Sequence, residues 1–177
     1  MATIFKFGKT DTGVAHCPCS NMRLGSGIVP IRKMLNHNVP VGLGGDGSAS
    51  NDAGNMLQSA RTAFLLARVG SCDALVMLAR DILKVATVGG AKVLGRDDIG
   101  KPAPGMSADL GTINLDRPQF AGALQDTVAA VIFCQTNHVD YSFINGKKFV
   151  DQGRLTTLKI EPLVKKANQL SQQLCEP

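Results

Sequence analysis

Gly42-Leu43-Gly44-Gly45-Asp46-Gly47 is the segment whose residue types most clearly invite chemistry. Glycines around an aspartate let the backbone turn sharply at the C-terminal end of a strand and present the acid into a cavity, where its carboxylate could ligate a metal ion. The same six residues fit the G-x-G-x-x-G spacing of a dinucleotide site. However, the acidic residue expected about 20 positions on, at the end of the next strand, is missing, because that stretch reads as helix and Asp73 falls between helices. A third reading makes Asp46 a cap for the following helix or an organiser of the turn. Spacing alone leaves ligation and the structural role equally open.

His16-Cys17-Pro18-Cys19 is the other chemically suggestive run. Cys-x-Cys lacks a second ligand pair at the spacing of a structural zinc site, and strand alternation separates neighbouring side chains. His16 is then either a substrate contact or a buried, hydrogen-bonded histidine, and base rates favour the second. His37 falls at an expected helix end, where it can serve open carbonyls, and His138 precedes a strand. Cys72 and Cys134 have no adjacent base, so burial is expected of them rather than nucleophilic chemistry.

The elements that must position these residues follow from periodicity. Gly13 to Cys17 reads as a short strand, and Pro18 to Asn21 as the turn that ends it. Ile28, Ile31, Met34 and Leu35 mark a helix between 28 and 38, and Val39 to Gly44 a second strand. A strand, crossover helix and strand favour parallel pairing and an α/β fold. Helices are expected over 53–69, over 74–87 with Asp73 as N-cap, over 89–94 ending at Gly95, and over 161–174 as a packed terminal helix. Gly100 to Gly105 is a turn-rich linker, with strands expected at 108–115 and 139–145 and a hairpin turn at Asn145-Gly146. The resulting partition is 1–100, 101–155 and 156–177.

Composition narrows the setting. The chain has 177 residues, 44% of them apolar, which suits a globular protein with a real core. No apolar run reaches the roughly 18 residues a membrane span requires, and no leader pattern stands at the N-terminus, so a cytoplasmic protein without membrane contact is expected. Five scattered cysteines suit a reducing compartment, most of them as buried thiols. The net charge of +5 is dispersed, and the absence of Trp with a single Tyr argues against nucleic-acid stacking.

Two longer motifs carry a resemblance. His16-Cys17-Pro18-Cys19-Ser20-Asn21-Met22-Arg23-Leu24-Gly25-Ser26-Gly27, followed by Gly44-Gly45-Asp46-Gly47-Ser48-Ala49-Ser50-Asn51, resembles the late barrel strands of the amidohydrolase superfamily. Pro104 to Leu110 and Val139 to Lys147 look like its C-terminal β-sandwich segment. Phe120 to Leu124 and Gly89 to Asp97 point to the 8-oxoguanine deaminase and hydroxyatrazine aminohydrolase group. The resemblance implies the C-terminal part of a metal-dependent (β/α)8 TIM barrel, with its last two strands in 1–100, a β-sandwich segment in 101–155 and a closing helix in 156–177. It also implies one zinc ion, Asp46 as metal ligand and proton acceptor, and His16, Asn21 and Ser48 on the substrate side.

By the same resemblance, a water activated by zinc would attack a C–N bond of an aminated purine or related heterocycle. The superfamily's paired first-strand histidines, two mid-barrel histidines and acid/base glutamate have no counterpart in this chain, and residues 1–10 are expected to depart from the family pattern. A truncated chain is therefore expected, acting as a homo-oligomer or with a missing N-terminal portion. The rival readings are a noncatalytic assembly module that binds a partner chain, and a nucleotide-binding domain resting on Gly42, Gly44 and Gly47.

Overall fold

A computed structural model describes residues 2–51, 53–134 and 136–175. The fold is α/β and divides into two compact units, Met1–Ser107 with Leu115–Asn137, and Ala108–Asn114 with His138–Pro177. The returning segment 115–137 belongs with the first unit because Phe120, Ala130 and Ile132 are buried there.

In the first unit, helix α1 (Ala2–Lys9) precedes β1 (Val14–His16), α2 (Pro18–Arg23), α3 (Ile31–Asn36) and β2 (Val41–Leu43). The strands pair in parallel, with Val14, Ala15 and His16 opposite Val41, Gly42 and Leu43. Pro18 to Asn21 forms the start of a helix and not the expected turn. Pro18 sits in the first helical turn, where its missing N–H leaves no hydrogen bond unmade. His37 caps α3, with Nδ1 2.8 Å from the Lys33 carbonyl oxygen.

Helix α4 (Met56–Ser71) follows, then α5 (Ala79–Lys84), a π-turn at Val85–Gly89, α6 (Gly90–Val93) and, later in the chain, α7 (Thr127–Phe133). Asn55 opens α4 by accepting the N–H groups of Leu57 and Gln58 at 3.0 and 3.1 Å. Asn55→Ala should therefore lose about 1 kcal/mol of stability, read as a shift of the urea midpoint at unchanged slope.

The helix expected from Ala74 begins only at Ala79. Asp73 Oδ1 accepts the Leu75 N–H at 2.8 Å in a local turn, and Arg68 donates through both Nε and Nη2 to the Met77 carbonyl at 3.1 Å. These bonds hold 73–78 in irregular backbone. Asp81, linked to the Leu78 N–H at 3.1 Å and to Arg32 at 2.6 Å, then starts the helix.

The core joins Ile31, Val39 and Val41 to Ala60, Ala63 and Phe64 of α4, and to Met77, Ile82 and Ile132. No cysteine is buried: Cys17, Cys19 and Cys134 are half-buried, while Cys72 and Cys175 are exposed, which corrects the expectation of buried thiols. Cys72 sits at the end of α4 in a left-handed conformation, and this turns it to solvent.

The second unit is an antiparallel sheet of β3 (Leu110–Thr112), β4 (Tyr141–Ile144), β5 (Lys147–Asp151) and β6 (Arg154–Leu155), in that order. Asn145 and Gly146 take φ values of 48° and 75°, the paired left-handed turn that matches strand twist. Gln152-Gly153 repeats the device at 48° and 76° and adds the hairpin that periodicity did not reveal. Helix α8 (Ile160–Cys175) has no buried residue, so it is not the packed terminal helix expected: Leu163, Val164, Ala167, Leu170 and Leu174 are each exposed. Among the described residues, no helix is long and apolar enough to cross a membrane.

Candidate active site at the end of the parallel strands

Asp46 lies three residues beyond β2, at its C-terminal end. The flanking glycines were expected to absorb the turn, but Asp46 itself takes the left-handed conformation, at φ 60°. A short polar side chain tolerates this region better than most. Gly44 is needed for a different reason, since a Cβ there would stand 2.8 Å from Cys17 Sγ.

The Asp46 carboxylate is exposed and held from two sides. Ser20 Oγ donates to Oδ2 at 2.5 Å, and Ser50 Oγ donates to the same oxygen at 2.8 Å. The Ser20 bond, then that of Ser50 and the Gly47 N–H, hold the carboxyl below its usual range, so it is ionised at neutral pH. Asn51, itself buried, donates from Nδ2 to the Gly45 carbonyl at 2.7 Å and fixes the loop. A hollow of about 210 Å³ lies beside this loop, lined by Cys19, Arg23, Ser50, Asn51, Ala53 and Gln58. A larger hollow, about 400 Å³, opens at the other end of β2 around Val39 and Val41 and holds none of these groups.

His16 is 3% exposed, on the strand face that it shares with Val14, Val41 and Leu43. Those three side chains belong to or pack on the core, whereas Ala15 and Gly42 occupy the other face. Burial lowers the imidazole from 6.5 to about 4, and Nδ1 is buried without a hydrogen-bond partner among the described residues. An unfolded chain takes up this proton near pH 6.5 and the folded chain only near 4, so the stability is present above 6.5 and is lost as the pH falls toward 4. Urea unfolding at stepped pH should show His16 contributing up to about 3 kcal/mol of that loss, and His16→Gln should flatten this part of the curve.

Burial, reinforced by the Asp46 charge, raises the Cys17 thiol against an opposing hydrogen bond from the Asp46 main chain, so Cys17 is a neutral neighbour of the site. Asn21 is half-buried in α2, with its carbonyl accepting the Ser26 N–H at 2.9 Å, and Ser48 is exposed in the loop after Asp46. Ser20 and Ser50 both stood inside the recognised motifs, but neither was assigned the role of holding Asp46. Nothing local linked Ser20 to a residue 26 positions away. Among the described residues, no group of three His, Cys, Asp or Glu is placed to hold a metal ion. Asp46 fits as one anionic oxygen ligand, already ionised.

The parallel strand pair carries the ionised Asp46 beyond its C-terminal end, and the sequence profile of the amidohydrolase family matches residues 3–149. The chain belongs to the amidohydrolase family. The match includes residues 3–10, so the expected departure of the first ten residues is corrected: most of them form α1 within the family pattern.

The chain is 42% identical over 163 residues to 8-oxoguanine deaminase of Pseudomonas aeruginosa, covering 91% of this chain and 35% of that protein. It is 39% identical over 163 residues to 5-methylthioadenosine/S-adenosylhomocysteine deaminase of Pelotomaculum thermopropionicum, covering 92% of this chain and 37% of the relative. A crystal structure of an adenosine deaminase from Xanthomonas campestris with bound zinc superposes with a TM-score of 0.92 at 33% identity, over 97% of this chain and 39% of that one. The chain thus spans little more than a third of the length of these relatives.

Proposed function

We propose that this chain is the C-terminal portion of a zinc-dependent deaminase, acting on a C–N bond of an aminated purine or related heterocycle such as 8-oxoguanine. The observation that carries the reading is the ionised, exposed Asp46 carboxylate held beyond the end of β2 by Ser20 and Ser50. The relatives' names support the substrate class. In this reading β1 and β2 are the last two strands of a (β/α)8 barrel, and β3 to β6 belong to the accompanying β-sandwich.

Asp46 would hold zinc as one ligand, and the remaining ligands would come from polypeptide that these residues do not include. Zinc, when bound, makes water a nucleophile at neutral pH. Asp46 would orient a water and take up one of its protons; in the net reaction a C–O bond would form at the ring carbon, the C–N bond would break, and the amine would leave as ammonia with the proton that Asp46 returns. The family resemblance supports Ser48 and Asn21 on the substrate side and the neutral His16 with them, although His16 is buried beside the core in this chain and would reach a substrate only from within the completed barrel. A cytoplasmic, homo-oligomeric enzyme is the setting this reading implies.

The test is zinc per chain by elemental analysis after gel filtration, together with ammonia release from 8-oxoguanine and other aminated purines. This chain alone should hold far less than one zinc. A longer polypeptide supplying the rest of the site should hold about one and release ammonia. Near-stoichiometric zinc on this chain alone would overturn the single-ligand reading, and a zinc-loaded longer form inert toward every aminated heterocycle would overturn the deaminase reading.

A second reading is an assembly module that binds a partner chain. It rests on the exposed apolar stripe of α8 and on a parallel sheet of only two strands. It predicts concentration-dependent association without zinc.

A further inference from the structure

We propose that Ser20 is the positioning residue of this site, the fixed point that sets the direction of the Asp46 carboxylate. Two hydroxyls converge on Asp46 Oδ2, and they are not equivalent. Ser20 is 3% exposed and sits in α2, which packs against α4, so its hydroxyl is anchored by the body of the unit. Ser50 is half-buried on the loop that carries Asp46, and its single proton is shared between Oδ2 at 2.8 Å and the Gly47 carbonyl at 3.1 Å. A donor on the same loop moves with the aspartate and cannot orient it relative to the strands. A donor on a separate, packed helix can.

The need for such an anchor comes from the backbone. Asp46 occupies a left-handed conformation, which an aspartate tolerates and which turns its side chain away from the line of β2. Its side chain projects into solvent, where a carboxylate without fixed partners samples several rotamers. Ser20 at 2.5 Å, in the range of charge-assisted O–H···O⁻ bonds, commits Oδ2 inward and directs the rest of the group outward. Outer-shell donors of this kind tune ligands in metal sites generally.

The inference deepens the reading of Asp46 as a ligand, and it can fail separately because its test contains no metal. In isotope-labelled chain, the three-bond couplings from Asp46 Cγ to the backbone nitrogen and carbonyl carbon report its χ1 rotamer. The native chain should show one rotamer, Ser20→Ala should lose it to averaging, and Ser50→Ala should keep it. A single rotamer in Ser20→Ala, or release by Ser50→Ala instead, would overturn the proposal. Should Ser20→Ala fail to fold, the native chain still decides. A Ser20 hydroxyl proton shielded by its bond to Asp46 should exchange slowly enough to give its own resonance that Asp46→Ala abolishes, and rapid exchange in the native chain would refute the anchor.

Discussion

Asp46→Ala, placed in a polypeptide that carries the complete site, is expected to lower kcat/KM by at least about 10²- to 10⁴-fold, the range of a single general acid–base group. Loss of a ligand should lower zinc content in the same variant. The two effects separate with Asp46→Asn, which keeps the shape and the acceptor oxygen for Ser20 and Ser50 but has no charge to hold a cation or take a proton. If Asp46→Asn kept zinc and lost turnover, proton transfer would be the dominant duty. Unchanged turnover in Asp46→Ala would refute both roles and leave Asp46 as an organiser of its turn.

The largest effect on the fold is expected at Phe64. Its side chain is fully buried in α4, with the Phe133 ring edge-on at 5.0 Å and an interplanar angle of 90°, and the Arg68 guanidinium carbon 4.1 Å from the ring centre. Phe64→Ala removes an aromatic ring from the contact of α4 with α7 and leaves a cavity whose walls are helices fixed by their own bonds. The loss should be about 3–5 kcal/mol, a large share of the stability of an ordinary domain. Urea denaturation followed by circular dichroism would measure it. A change below about 1 kcal/mol would mean that α7 collapses into the space. Phe133→Ala, where the ring is 43% exposed, should cost less.

Much of the site's frame was legible in the sequence because it rests on local rules. The two short apolar runs, separated by a helical stretch too long for a hairpin, form the parallel pair as expected. Asn145-Gly146 makes the turn that its residue types favour, and His37 serves the end of α3. The glycine-rich segment does end on an exposed aspartate. Here local propensity and the final fold agree, so the pattern was sufficient.

What the sequence by itself determined, then, is the order and kind of the main elements, the position of Asp46 beyond a strand and, through its motifs, the family. Tertiary structure alone decided which groups touch. Ser20 meets Asp46 because α2 folds back from β1, a contact across 26 positions that no periodicity encodes. Arg68 reaches the Met77 carbonyl and delays α5 to Ala79, overriding a helical pattern that began at Ala74. Helix α7 forms from an almost wholly apolar run, with no polar alternation to announce it, and exists because Phe133 and Ile132 have α4 and the core to pack against. The stripe on α8 reads as buried in sequence yet is exposed, since a periodic apolar face specifies only that a helix can be covered. Hydrogen-bond partners and burial belong to long-range geometry. Spacing along a chain constrains residues within a few turns of one another, and the Asp46 carboxylate is held by Ser20 from outside that range.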